Sequence, residues 1–360
     1  MVDASQPRKV RVALLFGGRS GEHAISAATA AGVMKAIDRD KYEVLPVGIT
    51  REGQWVLTSG DASRFELTAG RLPEVTSTSG TELVGLSDVG DVDVVFPVLH
   101  GPFGEDGTIQ GLLEMADVRY VGCGVLASAV GMDKHYMKLV FAGHGLPVGP
   151  YVVVQPREWE QRQAEVIARV SEQLTFPVFV KPARAGSSLG VTRVDEISGL
   201  AAAIEEARFH DPKVLVEQGI EGREIECAVL GGRSGAAPRA SVPGEIVVDH
   251  DSAQFYDFEE KYSTESHART QAPADLPDDV AEKVRDLAVR AFEAIGGEGI
   301  SRVDVFVTPD GEAVINEINT MPGFTPISMY PKMWEATGLS YPELIDELIQ
   351  LALERPTGLR

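Results

Sequence analysis

Apolar positions along this chain recur in two rhythms, and the alternation between them outlines the fold. "VRVALLFGG" (10–18) is nearly continuous, as a strand covered on both faces would be, and it ends in a glycine turn. "EHAISAATAAGVMKAI" (22–37) spaces its apolar residues three and four apart, which predicts a helix with Ser20 as cap. "YEVLPVGI" (42–49) reads as a second strand, so the chain opens with a βαβ pattern and an open, mostly parallel sheet. Residues 58–90, rich in Ser, Thr, Gly and Asp, predict loops and edge elements. A buried strand at 93–101 and a short helix at 108–116 follow, and Pro147 and Pro150 mark a boundary near 134–150.

A second unit has a helix at 157–174 and two strands around a small-residue loop at 176–194. A helix at 200–210 and a strand at 213–220 complete it. A third unit starts near Arg223 with a strand at 223–232, then a polar aromatic stretch at 249–267 and a helix at 278–296. The hairpin "SRVDVFVTPDGEAVINEIN" (301–319) turns at "TPDG", and a helix at 341–354 closes the chain.

That hairpin breaks the apolar rhythm. Glu317 and Asn319 lie two apart and so share one strand face. If the loop is Pro309–Glu312, Asp304 stands opposite Glu317, and Arg302 shares its face. Oxygen ligands converging in this way suit magnesium, which takes one or two carboxylates together with substrate phosphates. The alternative is a surface hairpin with solvated charges, which the neighbours Val303, Val305, Val314 and Ile315 weaken.

Composition narrows the function classes. The 360 residues allow two or three domains, and a composition of 44% hydrophobic and 24% charged is that of a globular protein. Lys and Arg total 33 against 54 Asp and Glu, a net charge of −21, which argues against nucleic-acid and anionic-membrane partners. No apolar run approaches the ~18 residues of a membrane span. The start lacks the apolar region and cleavage site of a secretory leader, and the two cysteines, Cys123 and Cys227, are far apart without a CxxC; both features predict a cytoplasmic protein.

Three further segments carry chemistry. In "KPARAGSSLG" (181–190), Lys181 ends an apolar strand and a small-residue loop follows; such a loop can fold its N–H groups over phosphates, or it can be an ordinary flexible hairpin. Glu217, at the end of the strand in "VLVEQGIEGREIE", can accept from ribose hydroxyls or be a routine surface acid, and Glu224 lies on the next strand. Glu22 follows a glycine turn at a helix start, and His100 ends a strand among glycines. Neither GxxxxGK[ST] nor GxGxxG is present, which removes a P-loop and weakens a dinucleotide fold.

The order of these features resembles the ATP-grasp ligases. "GGRSGEH", "HGPFGEDGTIQG", "MDK", "VKPARAGSS", "EKY", "RVD" and "NEINTMPGF" together resemble the D-alanine–D-alanine ligase family over roughly residues 10–350. The resemblance implies an α/β fold of three domains: a Rossmann-like 1–133, a central ATP-grasp unit 134–221 and a C-terminal unit 222–360. ATP would lie between the last two. Lys134, Lys181 and Lys261 would meet its phosphates, and Glu217, with Glu224 nearby, its ribose. Asp304, Glu317 and Asn319 would hold two Mg²⁺ ions, which Mn²⁺ could replace. Glu22 would take the ammonium of the first D-alanine beside Ser187 and Tyr262, with His100 positioning that substrate. Arg302 and the Gly323 N–H would stabilise an oxyanion, and Ser328 and Met329 would line the second D-alanine subsite. Loops around 183–190 and 250–267 would close over the site, and the chain would form a homodimer. The one departure in the loop is Ala185, where many relatives carry Glu or Gly. Two alternatives remain: a ligase joining D-alanine to D-lactate, whose members tend to lack the Tyr of "EKY", and a catalytically silent ATP-binding regulator.

Overall fold

The computed structural model describes residues 8–68, 72–83, 85–248 and 268–357. Three sheets organise these residues. In the first, β1 (Val10–Gly17) pairs in parallel with β2 (Tyr42–Ile49) and with β5 (Val94–Pro97). The antiparallel edge strands β3 (Trp55–Thr58) and β4 (Gly80–Leu83) extend it to the order β4-β3-β2-β1-β5. The expected parallel sheet is therefore confined to three strands of one unit.

Both faces of β1 are covered, which explains its continuous apolar run. Val12, Leu14 and Phe16 enter one core, and Ala13 and Leu15 enter another with Ile109 and Leu113 of α2 (Thr108–Met115). The first core also takes α1 (His23–Ala36), whose alanines and Gly32 let it lie close to other backbone. A Cβ at Gly32 would stand 2.9 Å from Pro326 Cδ. Ser20 does not cap α1: the residue before the helix is Glu22, and no side chain caps it. The Ser20 hydroxyl donates instead to the His100 carbonyl at 2.6 Å.

Sequence periodicity missed α3 (Val125–Met132) and α4 (Lys134–Gly143), which carry the chain out of the first unit. The small residues of α3 blur its period, and α4 carries Lys138 on its buried face. Met137 and Phe141 of α4 are fully buried against the third sheet, a contribution of roughly 1.5–3 kcal/mol each.

The central sheet, β6-β9-β7-β8, is antiparallel. Its strands are β6 (Tyr151–Val154), β7 (Val178–Pro182), β8 (Thr192–Val194) and β9 (Val214–Gln218). One face packs on α5 (Pro156–Gln173) and α6 (Leu200–His210) through Val180, Val216, Trp159 and Ile204. Strand alternation then turns Lys181 and Glu217 to the other face.

The third sheet runs β13-β12-β10-β14-β15, with β11 (Arg239–Ala240) on β10. Its other strands are β10 (Arg223–Leu230), β12 (Gly244–Val248), β13 (Ala268–Gln271), β14 (Ile300–Val307) and β15 (Ala313–Asn319). Val303, Val305 and Val307 pack on α7 (Asp278–Ala294), which leaves Arg302 and Asp304 on the opposite, half-buried face. The chain ends with α8 (Met329–Ala336) and α9 (Tyr341–Glu354), which return to the first core; the Tyr42 hydroxyl donates to Asp346 at 2.7 Å across that joint. Among the described residues no helix is long and apolar enough to cross a membrane.

Candidate active site

The hairpin reaches the expected pairing by an unexpected route. Its loop is 308–312, one residue longer than the TPDG turn alone suggests, so Val307 pairs with Ala313. That register alone would set Asp304 opposite Asn316. A β-bulge leaves Asn316 unpaired, and beyond it Asp304 faces Glu317 and Arg302 faces Asn319. Asn316 is turned toward the neighbouring sheet as well, where Lys181 Nζ donates to its Oδ1 at 3.4 Å.

Arg302 grips Asp304 with both arms, Nε at 2.7 Å and Nη2 at 2.6 Å. Glu226, opposite Asp304 on β10, lies 3.3 Å from Arg302 Nε. Burial works against the charged guanidinium, yet Asp304 and Glu226 raise its pKa well above the ordinary value. The sequence points to Glu224 on this strand, but the carboxylate that meets Arg302 is Glu226. The two share a strand face, but Glu226 is buried and Glu224 is exposed.

Two lysines approach from the other side. Lys134, at the first position of α4, donates to the Ala185 carbonyl at 2.8 Å and lies 3.3 Å from Glu317. Lys181 lies 2.8 Å from Glu217, whose other oxygen is 3.4 Å from Lys138. Burial pushes the Glu217 carboxyl up, but Lys181 and Lys138 outweigh it and hold it below the usual range. Burial lowers the Lys138 pKa. Lys138 was not foreseen, since it sits in a helix whose period was not read.

The first sheet supplies the third side. Ser187 donates to Glu22 in a short hydrogen bond, joining the 181–190 loop to the α1 N-terminus. Gly101 has φ +73°, and a Cβ there would stand 2.7 Å from Glu22 Oε2. His100 is buried; its Nδ1 meets the Met321 carbonyl at 3.0 Å and its Nε2 meets Thr29 Oγ1 at 3.2 Å. A carbonyl only accepts, so Nδ1 carries the proton and Nε2 accepts from Thr29. Burial lowers the His100 pKa, which agrees with a neutral ring. Glu105 was also overlooked. It accepts from the Gly101 N–H at 2.7 Å, and burial, then Glu22, push its carboxyl up to about 8. A cavity of about 30 Å³ touches Glu105, Lys134, Gly186, Glu317 and Asn319 together. A hollow of about 460 Å³ between β8 and α6 presents Asp195, Glu196 and Glu206 against the single cation Arg193, which is itself paired with Asp195, a net charge that does not suit a nucleotide.

Gly323 lies beyond β15, where a Cβ would stand 3.2 Å from Ser328 Oγ. Ser328 precedes α8 and holds the turn through Thr325 N–H at 3.1 Å. Met329 packs in the first core, its thioether end against Gly244. Lys261, Tyr262 and the proposed 250–267 loop lie outside the described residues.

The donor set fits a hard cation in kind. Two carboxylates and an amide, Asp304, Glu317 and Asn319, share one face, although among the described residues no three acidic, imidazole or thiol groups form a ready cage. Magnesium sites of this type complete their shells with phosphate oxygens and water.

Comparison with known proteins agrees with this geometry. The family described as D-ala D-ala ligase N-terminus matches residues 11–123, and D-ala D-ala ligase C-terminus matches 140–350. The D-alanine-D-alanine ligase structure from Coxiella burnetii superposes with a TM-score of 0.79 at 36% identity, covering 96% of this chain and 94% of the other. The VanG D-Ala:D-Ser ligase from Enterococcus faecalis gives 0.80 at 37%, covering 96% and 100%. Fold and site thus define an ATP-dependent ligase with the three-domain ATP-grasp architecture. D-alanine--D-alanine ligase of Paenarthrobacter aurescens is 60% identical over 368 aligned positions, covering 97% of both chains; that of Kineococcus radiotolerans is 58% identical over 383, covering 99% and 100%. The chain belongs to the D-alanine–D-alanine ligase family.

Proposed function

We propose that this chain joins two D-alanine molecules in the cleft where its three sheets meet, through an acyl phosphate, with release of ADP and phosphate. The observation that carries the proposal is the convergence of Glu22 with Ser187, and of Lys134 with Glu317, beside the Arg302–Asp304 pair of β14, which brings side chains from around all three sheets to one cleft. A carboxylate is a poor electrophile, so the first D-alanine must be phosphorylated by ATP before an amine can attack it. Glu22 receives that substrate's ammonium, and neutral His100 fixes the wall beside it. Lys134, Lys181 and Lys261 neutralise the phosphates. Glu217 and Glu224 hold the ribose, and the exposed Glu224 carboxylate complements Glu217, which is shared with Lys181 and Lys138. Asp304, Glu317 and Asn319 hold two Mg²⁺ ions, replaceable by Mn²⁺, which when bound would withdraw charge from the phosphoryl oxygens. The amine of the second D-alanine, seated by Ser328 and Met329, attacks the acyl carbon. Arg302 and the Gly323 N–H hold the resulting oxyanion, and phosphate leaves. Water must be kept from the acyl phosphate, a task for the 183–190 loop and the segment bearing Tyr262.

The domain division 1–133, 134–221 and 222–360 is part of the same proposal, with the modification that α4 packs on the third sheet. We further infer a cytoplasmic homodimer, which sedimentation of the purified protein checks. Phosphate release with D-alanine, L-alanine and D-lactate, combined with product analysis, tests the reading. It expects D-alanyl-D-alanine from D-alanine alone. D-alanyl-D-lactate as the main product would favour the depsipeptide alternative, and no turnover with any acceptor would favour a silent ATP-binding regulator.

A further inference from the structure

Asp211, at the end of α6, is buried and accepts four hydrogen bonds, the full capacity of a carboxylate. Arg184 supplies three of them, from its backbone N–H at 2.9 Å, Nε at 2.8 Å and Nη2 at 2.8 Å; the Lys213 N–H supplies the fourth at 3.0 Å. Lys213 closes the other flank. Its ammonium donates to Asp133 in a short hydrogen bond and lies 4.7 Å from the Tyr136 ring centre. Asp133 caps α4, accepting from the His135 and Tyr136 N–H groups. Between these two clamps runs the base of the small-residue loop. Ala183 donates to the Lys213 carbonyl at 3.0 Å and accepts from the Lys134 N–H at 3.0 Å. Ala185 accepts from Lys134 Nζ. Three successive residues, 183 to 185, are thus pinned, whereas Ser187, just beyond, has φ +51° and reaches across to Glu22.

From this we infer that Asp211 is a positioning residue: through Arg184 it sets the point at which the 186–190 loop leaves the sheet, and hence the register of that loop over the nucleotide phosphates. The inference rests on the reading that this loop closes on ATP. Arg184 is half exposed, and its charge is spent on Asp211, with Asp133 also near enough to act on it. That spending marks Arg184 as an anchor of the loop.

The test compares Asp211→Asn, Arg184→Ala and the double variant with the parent. Each is followed by steady-state kinetics, thermal unfolding and amide exchange of residues 185–190. Arg184→Ala removes an exposed side chain and keeps the test open if Asp211→Asn fails to fold. Losing the charge-assisted bonds should raise the KM for ATP about tenfold in each single variant, with no further rise in the double. Exchange at 185–190 should quicken in step, and kcat should change less than KM. A fall in kcat with KM unchanged, tracking the loss of Tm, would mean that Asp211 only supports the fold, and the inference fails. Unchanged exchange in both single variants would show that the loop is not anchored here. Faster exchange with an unaltered KM for ATP would overturn the inference through its premise, because the loop would then be anchored but not serving the nucleotide.

Discussion

Replacing Arg302 by Met removes the cation between two carboxylates that the strand register holds face to face. Asp304 and Glu226 are paired across β14 and β10, and Arg302 reaches both, at 2.6 and 3.3 Å. All three side chains are largely buried, at 17%, 16% and 7% exposure for Arg302, Asp304 and Glu226. Breaking a buried pair from one side costs about 3–5 kcal/mol, and the residual access of water favours the lower end, about 3. The stranded carboxylates then resist ionising together, so one takes a proton and its pKa rises. A carboxyl whose folded pKa is raised loses stability as pH rises. The deficit of Arg302→Met relative to the parent should therefore grow between pH 5 and pH 8, read as the midpoint of urea unfolding. Adding Glu226→Gln removes one of the two charges and should restore about half the stability. Turnover should fall about a hundredfold or more in Arg302→Met and stay low in the double variant, since an oxyanion donor is still missing. An unfolding free energy within about 0.5 kcal/mol of the parent, or a double variant that regains turnover along with stability, would refute the reasoning.

Three further outcomes follow from the site. Glu317→Gln keeps the shape of a proposed metal ligand and removes its charge; turnover should drop about a hundredfold at ordinary Mg²⁺ and recover partly at high Mg²⁺, with the fold intact by circular dichroism. Glu105 binds its proton more tightly folded than unfolded, so stability of the free protein should decline from its ordinary pKa of 4.5 to about 8 and level off above. Glu105→Gln should flatten that decline, which amounts to at most about 5 kcal/mol, in unfolding curves across pH. Gly101→Ala places a Cβ at a left-handed φ against Glu22, and should raise the KM for D-alanine while leaving that for ATP unchanged.

Most of what the sequence made legible was strand chemistry. A period of two puts Arg302, Asp304, Glu317 and Asn319 on one face as soon as the turn is located, and the structure keeps them there. The turn itself was misjudged by one residue, and the error was hidden because the bulge at Asn316 shifts the register back. No local signal marks such a bulge; the residue it leaves unpaired, Asn316, accepts from Lys181 of the central sheet, a partner distant in sequence. Glu226 was overlooked for a related reason: its partner Arg302 is distant in sequence, and only sheet pairing joins them. Lys138 escaped because α4 is one short helix wedged between two sheets, so its buried face carries a lysine where a period search expects an apolar residue, and Asp133 and Lys213 escaped because their pairing joins positions 80 residues apart. Glu105 sits in a motif that was recognised, but its burial depends on Thr320 and Gly101 closing round it.

The central claim, activation of one D-alanine as an acyl phosphate, is tested most directly by the fate of its carboxylate oxygen. D-alanine labelled with ¹⁸O in the carboxylate is incubated with ATP, Mg²⁺ and the purified protein, and the released phosphate is analysed by mass spectrometry. The account predicts one labelled oxygen in each phosphate formed with D-alanyl-D-alanine, because the carboxylate oxygen that attacks the γ-phosphorus leaves with it. Phosphate free of label, accompanying dipeptide, would contradict it.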